Sequence, residues 1–215
     1  MSDQLTDPGF WDNYWQNVSG WQNVDLRHSY DRAFDAAFRR WLTPDPKQRL
    51  LEIGCAPGRW LIYFHRQFGY QVSGCDSAPQ AVEVTRANLQ QAQVPGEVLL
   101  ADLMEASLPA AAYDIVMSLG VIEHFADPWP AIEQHVRLIK PGGTLVSGLS
   151  SRNHSPRARR QPSLTARAKP RLARQRRSDR SGARRSWAMA GCAGEWLSTT
   201  TISARPMRSA REARS

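Results

Sequence analysis

The chain has 215 residues, a length typical of one domain with additional segments. A membrane-spanning helix needs about 18 consecutive apolar residues, and no apolar run in the sequence approaches that length. The first 30 residues are acidic and rich in Trp, unlike a secretory signal. Three cysteines, Cys55, Cys75 and Cys192, are too few and too scattered for a disulfide framework or a zinc site. A cytoplasmic location is therefore expected.

The net charge of +8 is unevenly distributed along the chain. Residues 1–150 hold 11 Lys and Arg against 17 Asp and Glu, a net charge of −6. Residues 151–215 hold 17 basic and 3 acidic residues, a net charge of +14. We therefore interpret the chain as two parts that join near residue 151.

Residues 1–48 are rich in aromatic side chains, and part of this segment has a helical pattern. A helix is predicted over 29–42 because apolar residues recur on one face: Tyr30, Phe34, Ala37, Phe38 and Trp41. A second aromatic group precedes it: Phe10, Trp11, Tyr14, Trp15 and Trp21. Either these aromatics pack the helices onto the edge of a sheet, or they form a lid or substrate pocket over an active site.

Residues 49–150 alternate short apolar runs with helical patterns. The predicted elements, in chain order, are a strand at 49–53, a loop at 54–58, a helix at 59–68, a strand at 70–75, a helix at 78–91, strands at 97–101 and 113–119, a helix at 128–139, a turn at 141–143 and a strand at 144–149. Strands that alternate with helices across short loops favour a parallel sheet with helices on both faces.

Three features fall at the predicted carboxyl ends of strands, where doubly wound sheets bind ligands. The small residues of the loop 54–58 would let a ligand approach the backbone beside a helix N-terminus. Asp76 ends the second strand, where a carboxylate can accept hydrogen bonds from both hydroxyls of a ribose. Asp102 ends the third strand, where it could receive the amine of an adenine.

The loop differs from the two common phosphate-binding patterns. The position two after Gly54 is Ala56, so the dinucleotide pattern G-x-G-x-x-G is absent, and G-K-[ST] of the phosphate-binding loop is missing as well. These departures disfavour a nicotinamide oxidoreductase. The interpretation that still fits the loop is recognition of an adenosine without a required pyrophosphate.

Five segments closely resemble, in order, the class I S-adenosylmethionine-dependent methyltransferases. They are LLEIGCAPGRW (50–60), GCD (74–76), ADL (101–103), YDIVMSLGVIEHF (113–125) and LIKPGGTLV (138–146). The opening FWDNYW is also similar to N-terminal helices of bacterial members of this group. The resemblance implies an α/β fold with a Rossmann-like doubly wound sheet, S-adenosyl-L-methionine as cofactor, and methyl transfer.

The resemblance also implies roles for individual residues. The expected cofactor-binding residues are Glu52, Gly54, Cys55, Ala56, Gly58, Asp76, Ser77, Asp102, Leu103 and Leu119. Within this set, Glu52 and the two glycines match the motif at the methionine part, and Leu119 ends the strand that borders it. Asp76 matches the ribose-binding acid, and Asp102 and Leu103 match the adenine contacts. Cys55 is interpreted as a small packing residue rather than a nucleophile.

Methyl transfer from a sulfonium mainly requires alignment and the exclusion of water. A base is needed only where the acceptor must lose a proton, and His124 is the candidate, beside a structural role for it. Glu123 and His124 are similar to part of the E-x-x-E-H metal motif of ubiquinone-type O-methyltransferases, but its first position here is Gly120, so no metal site is expected. The other histidines are interpreted as surface residues: His28, His65, His135 and His154.

The segment 151–215 departs from this family and from packed domains in general. It includes 16 Arg, 11 Ala and 10 Ser, but only four residues from the group Leu, Ile, Val and Phe. Because so little apolar surface cannot offset chain entropy, we expect a disordered tail with at most a nascent helix near 184–190. The family's sheet has seven strands, the last two forming an antiparallel hairpin, so we expect this sheet to be truncated after the fifth strand.

Three interpretations of this basic tail are open. It is a solvated segment without a specific role, a tether that binds nucleic acid or an acidic membrane through arginine–phosphate contacts, or the product of a reading-frame shift in GC-rich DNA. Only Trp187 and Trp196 are available to stack on bases, which disfavours nucleic acid. Translation of the gene in its other frames past codon 151 tests the frame shift, which predicts an apolar periodic sequence there.

The sequence thus divides into N-terminal helices at 1–48, a cofactor-binding core at 49–150 and the tail at 151–215. The leading hypothesis is S-adenosylmethionine-dependent methyl transfer to a small-molecule or biosynthetic-intermediate acceptor, at oxygen. The alternatives are an inactive cofactor-binding remnant and a nucleic-acid-binding protein that acts through the tail.

Overall fold

The computed structural model describes residues 6, 8–17, 23–105, 108–149, 184–192 and 195–203. Its elements are α1 (Pro8–Gln16), α2 (Ser29–Trp41), β1 (Arg49–Ile53), α3 (Arg59–Phe68), β2 (Gln71–Asp76), α4 (Pro79–Gln91), β3 (Gly96–Leu100), β4 (Tyr113–Leu119), α5 (Pro128–Leu138), β5 (Ile139–Leu149), β6 (Arg184–Cys192) and β7 (Glu195–Ser203). Short 3₁₀ turns follow β3 and β4, at Leu103–Glu105 and Ile122–His124. The predicted α/β class is confirmed.

The strands form one seven-stranded sheet in the order β3-β2-β1-β4-β5-β7-β6. The first five strands are parallel, so their carboxyl ends lie at one edge. The strand order reverses between β1 and β4, and such a switch point is where doubly wound sheets bind ligands. No helix in the described ranges is long and apolar enough to cross a membrane.

The sheet continues past the end that the sequence predicts. β7 pairs antiparallel with β5, from Thr144 opposite Thr201 to Leu149 opposite Trp196, and β6 pairs antiparallel with β7. The expected truncation after the fifth strand and the expected helix near 184–190 are therefore corrected. The composition of the whole segment hides a local β-branched run at 199–202, which suits a strand. Residues 151–183 and 204–215 lie outside the described residues, so disorder, tethering and a frame shift stay predictions there.

β5 also starts earlier than the strand that the sequence predicts at 144–149. It begins at Ile139 and includes the predicted turn at 141–143, where Gly142 has a φ of +83°. The pairing register between β4 and β5 shifts at this place, between Tyr113 and Ile115. The glycines therefore produce an irregularity within a strand rather than a turn before it.

One face of the sheet is covered by an aromatic core that α2 and α3 build together. Phe38 is fully buried, with ring centroids 4.8 Å from Phe64 and 5.3 Å from Trp60, and Phe34 stacks on Trp60 at 5.4 Å. Such ring pairs stabilise a core beyond the area they bury. For α2, these contacts support the interpretation that the aromatics pack the helix onto the domain.

The other face is covered by α5, which turns a different side to the sheet than its sequence indicates. In the sequence, an apolar repeat with helical spacing is formed by Trp129, Ile132, Val136 and Ile139, but Trp129 is 57% exposed, and the buried residues of α5 are Ala131, His135 and Leu138. These three residues also have helical spacing, so periodicity alone cannot choose between the two sides. The prediction that His135 lies at the surface is wrong. Its Nδ1–H donates to the Ala131 carbonyl at 2.7 Å, and burial lowers its pKa.

Candidate functional site

The loop 54–58 after β1 is anchored to the end of β2. The backbone N–H groups of Gly54 and Cys55 donate to the Cys75 carbonyl at 2.9 and 3.2 Å. Gly54 has a φ of +66°, and a Cβ there would lie 2.6 Å from Val121 Cγ2; at Gly58, with a φ of +87°, it would lie 2.9 Å from a Thr85 methyl carbon. Only glycine tolerates both the positive φ and the short distance to the neighbouring side chain at these positions. The backbone of the loop is therefore open to close approach by a ligand.

Cys55 is buried below this loop. Its thiol lies 3.9 Å from the Thr85 hydroxyl, and a Cβ on neighbouring Gly74 would come within 2.7 Å of its Sγ. Burial raises the pKa of the Cys55 thiol, with further contributions from the Glu52 and Asp76 charges. A neutral, enclosed thiol is a poor nucleophile, so the geometry supports the packing role.

Asp76 lies at the end of β2, beside the glycine loop. Its Oδ1 accepts a hydrogen bond from the backbone N–H of Ala78 at 3.1 Å. Burial raises the pKa of Asp76 to about 6, opposed by the backbone N–H groups of Ala78, Ala56 and Ser77 and increased by the charge of Asp12. The carboxyl group therefore titrates close to the physiological range, unlike an exposed aspartate.

This shift predicts a pH-dependent affinity for a ribose-bearing ligand. Ribose hydroxyls donate to a carboxylate better than to a carboxylic acid, so binding favours ionised Asp76. We expect the affinity for an adenosine-bearing ligand to fall by up to about tenfold per pH unit below pH 6, where free Asp76 takes up a proton. Titration calorimetry between pH 5 and 8 measures it, and an affinity that is constant across this range contradicts the assignment.

Asp102 and Leu103 follow β3 on the same edge. The backbone N–H of Met104 donates to Asp102 Oδ1 at 2.8 Å, which begins the 3₁₀ turn, and Leu103 is buried. The backbone N–H of Ala101 donates to the Asp76 carbonyl at 2.9 Å. This hydrogen bond holds the ends of β2 and β3 together. Asp76 and Asp102 therefore lie at the ends of neighbouring strands.

Glu52 is the penultimate residue of β1, just before the loop, and is 3% exposed. Its Oε2 has no hydrogen-bond partner among the residues that the structure describes. Burial raises the pKa of Glu52 well above its usual value, while the Arg59 charge opposes this and the Asp76 charge adds to it. A buried, incompletely bonded carboxyl group beside an open loop is typical of a ligand-binding position.

The N-terminal segment reaches across this edge and contacts His124. Thr6 Oγ1 lies 2.9 Å from His124 Nδ1, and the Trp11 ring meets the His124 ring edge-on at 5.1 Å. At the other side of the site, the backbone N–H of Gln80 donates to Asp12 Oδ1 at 3.2 Å. For α1, these contacts support the lid interpretation.

The structure thus brings the predicted site residues to one edge of the sheet. The glycine loop and Asp102 follow β1 and β3, Asp76 and Leu119 are the last residues of β2 and β4, and β1 pairs with both β2 and β4. Sequence reasoning missed Thr6, Asp12 and Arg59. Asp12 lies within the FWDNYW segment and Arg59 within LLEIGCAPGRW, whereas Thr6 has no recognisable sequence signal. The part of the chain that is described holds no cluster of His, Cys, Asp and Glu suited to a metal ion.

Comparison with known proteins gives one consistent result. Residues 51–147 match a family described as a methyltransferase domain. The 27-O-demethylrifamycin SV methyltransferase of Amycolatopsis mediterranei (strain S699) is 30% identical over 150 residues, which are 69% of this chain and 53% of the relative. The ubiquinone biosynthesis O-methyltransferase of Xanthomonas campestris pv. campestris (strain B100) is 35% identical over 115 residues, 53% of this chain and 46% of the relative.

The chain spans about half the length of these curated relatives. Among solved structures, a SAM-dependent methyltransferase from Aquifex aeolicus has the same fold, with a TM-score of 0.60 over 92% of this chain and 99% of that chain. At 14% sequence identity, this likeness concerns the fold alone.

Proposed function

We propose that the chain, in which residues 51–147 match a methyltransferase-domain family, transfers a methyl group from S-adenosyl-L-methionine to an oxygen of a small-molecule acceptor. The observation that carries this proposal is the convergence of the glycine loop, Asp76 and His124 at one sheet edge. A cytoplasmic location belongs to the same proposal.

The residues of the edge suit the parts of the cofactor. The Asp76 carboxylate would accept hydrogen bonds from the two ribose hydroxyls, and Asp102 would accept one from the adenine amine. Leu103 would offer an apolar contact to the base. Gly54 and Gly58, which have no side chains, would let the methionine part lie against the backbone.

His124 would act as the general base for the acceptor hydroxyl. The bound cofactor supplies an electrophilic methyl group on its sulfonium. When His124 Nδ1–H donates to the Thr6 hydroxyl, Nε2 keeps its lone pair and can remove the acceptor proton. The Trp11 ring restricts the orientation of the imidazole, and α1 helps to exclude water.

An oxygen acceptor is supported by the names of the two relatives, which describe O-methylation in rifamycin and ubiquinone biosynthesis. Phe10 and Tyr14 on α1 are 37% and 42% exposed, so aromatic side chains are available to an apolar acceptor beside His124. The alternative of an inactive remnant depended on a sheet that ends after β5, and the described β6 and β7 remove that reason.

The proposal predicts that His124→Gln lowers kcat by about 10²- to 10⁴-fold, because glutamine cannot remove the acceptor proton. Glutamine is similar in size and can still form hydrogen bonds, so the surrounding structure should be kept. Release of S-adenosylhomocysteine is measured with a panel of phenols and aliphatic alcohols, and the affinity for that product is measured separately. The affinity should change less than threefold. His28→Gln, a change of an exposed histidine before α2, is the matched control. An unchanged kcat in His124→Gln contradicts the role of base.

A further inference from the structure

The helix α4 begins without a capping side chain of its own. Its N-cap residue is Ala78, which has no side-chain oxygen, and its first turn contains no acidic residue. The first N–H groups of a helix have no partner within the helix, and the side chain of the N-cap residue commonly bonds one of them. In α4 the acceptor for such a group must therefore come from elsewhere in the fold or from water.

Asp12 of α1 supplies this acceptor. Its Oδ1 accepts the backbone N–H of Gln80, the second residue of α4, at 3.2 Å and from 68 positions away in the chain. An N–H at this place in a helix is one that a local capping side chain would bond. A carboxylate here also interacts favourably with the positive end of the helix dipole. Asp12 thus caps α4 from a different helix and joins α1 to it.

The same N-terminal segment contacts the candidate base at the other side of the site. Trp11, the neighbour of Asp12, meets the His124 ring edge-on at 5.1 Å, and Thr6 Oγ1 lies 2.9 Å from His124 Nδ1. On the α4 side, burial raises the pKa of Asp76, and the charge of Asp12 adds to this effect. The segment therefore lies across the site, from the proposed ribose-binding acid to the proposed base.

α1 has few other means of keeping this place. It has only nine residues, and isolated helices shorter than about 12 residues are marginal in water. Phe10 and Tyr14 are exposed, so the helix buries little apolar surface. Asp12 is the only charged residue of α1. The docking of α1 should therefore depend strongly on the contact that Asp12 makes with α4.

We propose that Asp12 is a positioning residue, which by capping α4 holds α1 across the site and keeps Thr6 and Trp11 against His124. The inference rests on the proposed function, in which His124 is the base, and adds a residue that acts on this base through α1. A general base works only within hydrogen-bond reach of the proton that it removes, so its orientation affects the rate. Loss of the cap would weaken the contacts of the imidazole with the N-terminal segment.

The first measurement follows the docking of α1 in the 215-residue chain without any ligand. Hydrogen exchange of the α1 amides, detected by mass spectrometry, reports how often the helix opens. We expect Asp12→Ala to accelerate this exchange about 3- to 30-fold, the effect of losing one capping side chain, and to leave the exchange of β1 unchanged. Asp12→Asn should restore most of the protection, because asparagine also caps helices.

Proton NMR of His124 tests the positioning role itself. The ring current of Trp11 shifts the signals of the carbon-bound protons of the His124 ring while the two rings are held together. In Asp12→Ala these signals should move toward those of an exposed histidine such as His28, and in Asp12→Asn they should return. The spectrum of His124→Gln identifies the signals by their loss.

Asp45→Ala is the matched control. Asp45 is half-buried like Asp12, and its Oδ1 likewise accepts one backbone N–H, that of Lys47 at 2.9 Å. It precedes β1, at the end of the strand opposite to the site. This variant should change neither the exchange of α1 nor the signals of His124.

Each contrary outcome identifies a different error. If Asp12→Ala leaves the exchange of α1 unchanged, the cap does not hold this helix and the proposal is overturned. If it loosens α1 but leaves the His124 signals unchanged, Asp12 has a structural role only, which also overturns the proposal. The same changes in Asp45→Ala would indicate a general loosening of the fold and count against it equally. Failure of the proposed function is seen separately, as a folded unmodified chain that does not bind S-adenosylhomocysteine.

Discussion

Replacement of Asp76 by alanine is expected to weaken S-adenosylhomocysteine binding by about 100- to 1000-fold. The carboxylate would accept hydrogen bonds from both ribose hydroxyls, and charge-assisted hydrogen bonds of this kind contribute about 1.5–3 kcal/mol each. Asp76 is held in place by the backbone N–H of Ala78 and is partly buried, so water can replace it only in part. Titration calorimetry at pH 7.5, where Asp76 is ionised, measures the change.

Glu83→Gln is the matched control for this measurement. Glu83 is an exposed carboxylate on α4 that pairs with Arg86 at 2.8 Å, away from the sheet edge. Its loss should leave the affinity unchanged. Thermal unfolding of both variants separates loss of the site from loss of the fold. An affinity for S-adenosylhomocysteine that stays within threefold in a folded Asp76→Ala variant would remove Asp76 from the site.

Phe38→Ala is expected to lower the free energy of unfolding by about 3–5 kcal/mol. Phe38 is fully buried, and its ring contacts Phe34, Trp60, Tyr63 and Phe64, so its removal leaves a cavity between α2 and α3. A loss of this size is a large part of the about 5–15 kcal/mol that stabilises a typical domain. Urea denaturation followed by tryptophan fluorescence measures it.

Phe10→Ala tests the same residue type outside the core. Phe10 lies on α1 and is 37% exposed, so its removal should cost less than about 1 kcal/mol. The contrast distinguishes α2, which belongs to the core, from α1, which covers the site. If Phe38→Ala and Phe10→Ala destabilise the fold equally, the division of roles between these helices is wrong.

Elements governed by local sequence were predicted closely. β1 and α3 begin and end at the predicted residues, because an apolar run bounded by Gly54 and a helix bounded by Gly58 and Gly69 carry their own start and stop signals. The positions of the glycine loop and of Asp76 were also predictable, since both follow strands in a pattern that one motif describes.

Features that depend on distant contacts were not predictable. The contact between Thr6 and His124 joins residues 118 positions apart, and the pairing of Arg59 with Asp31 joins residues 28 apart. The orientation of α5 depends on which of two helical faces fits the sheet, and packing selected the one with His135. β6 and β7 are defined by their pairing with each other and with β5, which the composition of the segment as a whole does not indicate.

The most direct test of the central claim is titration of the unmodified 215-residue chain with S-adenosylhomocysteine. We expect one molecule to bind per chain at roughly micromolar strength, about −8 kcal/mol, with nicotinamide adenine dinucleotide binding far more weakly. A folded chain that binds no S-adenosylhomocysteine at millimolar concentration would contradict the assignment of the sheet edge as a methyl-donor site.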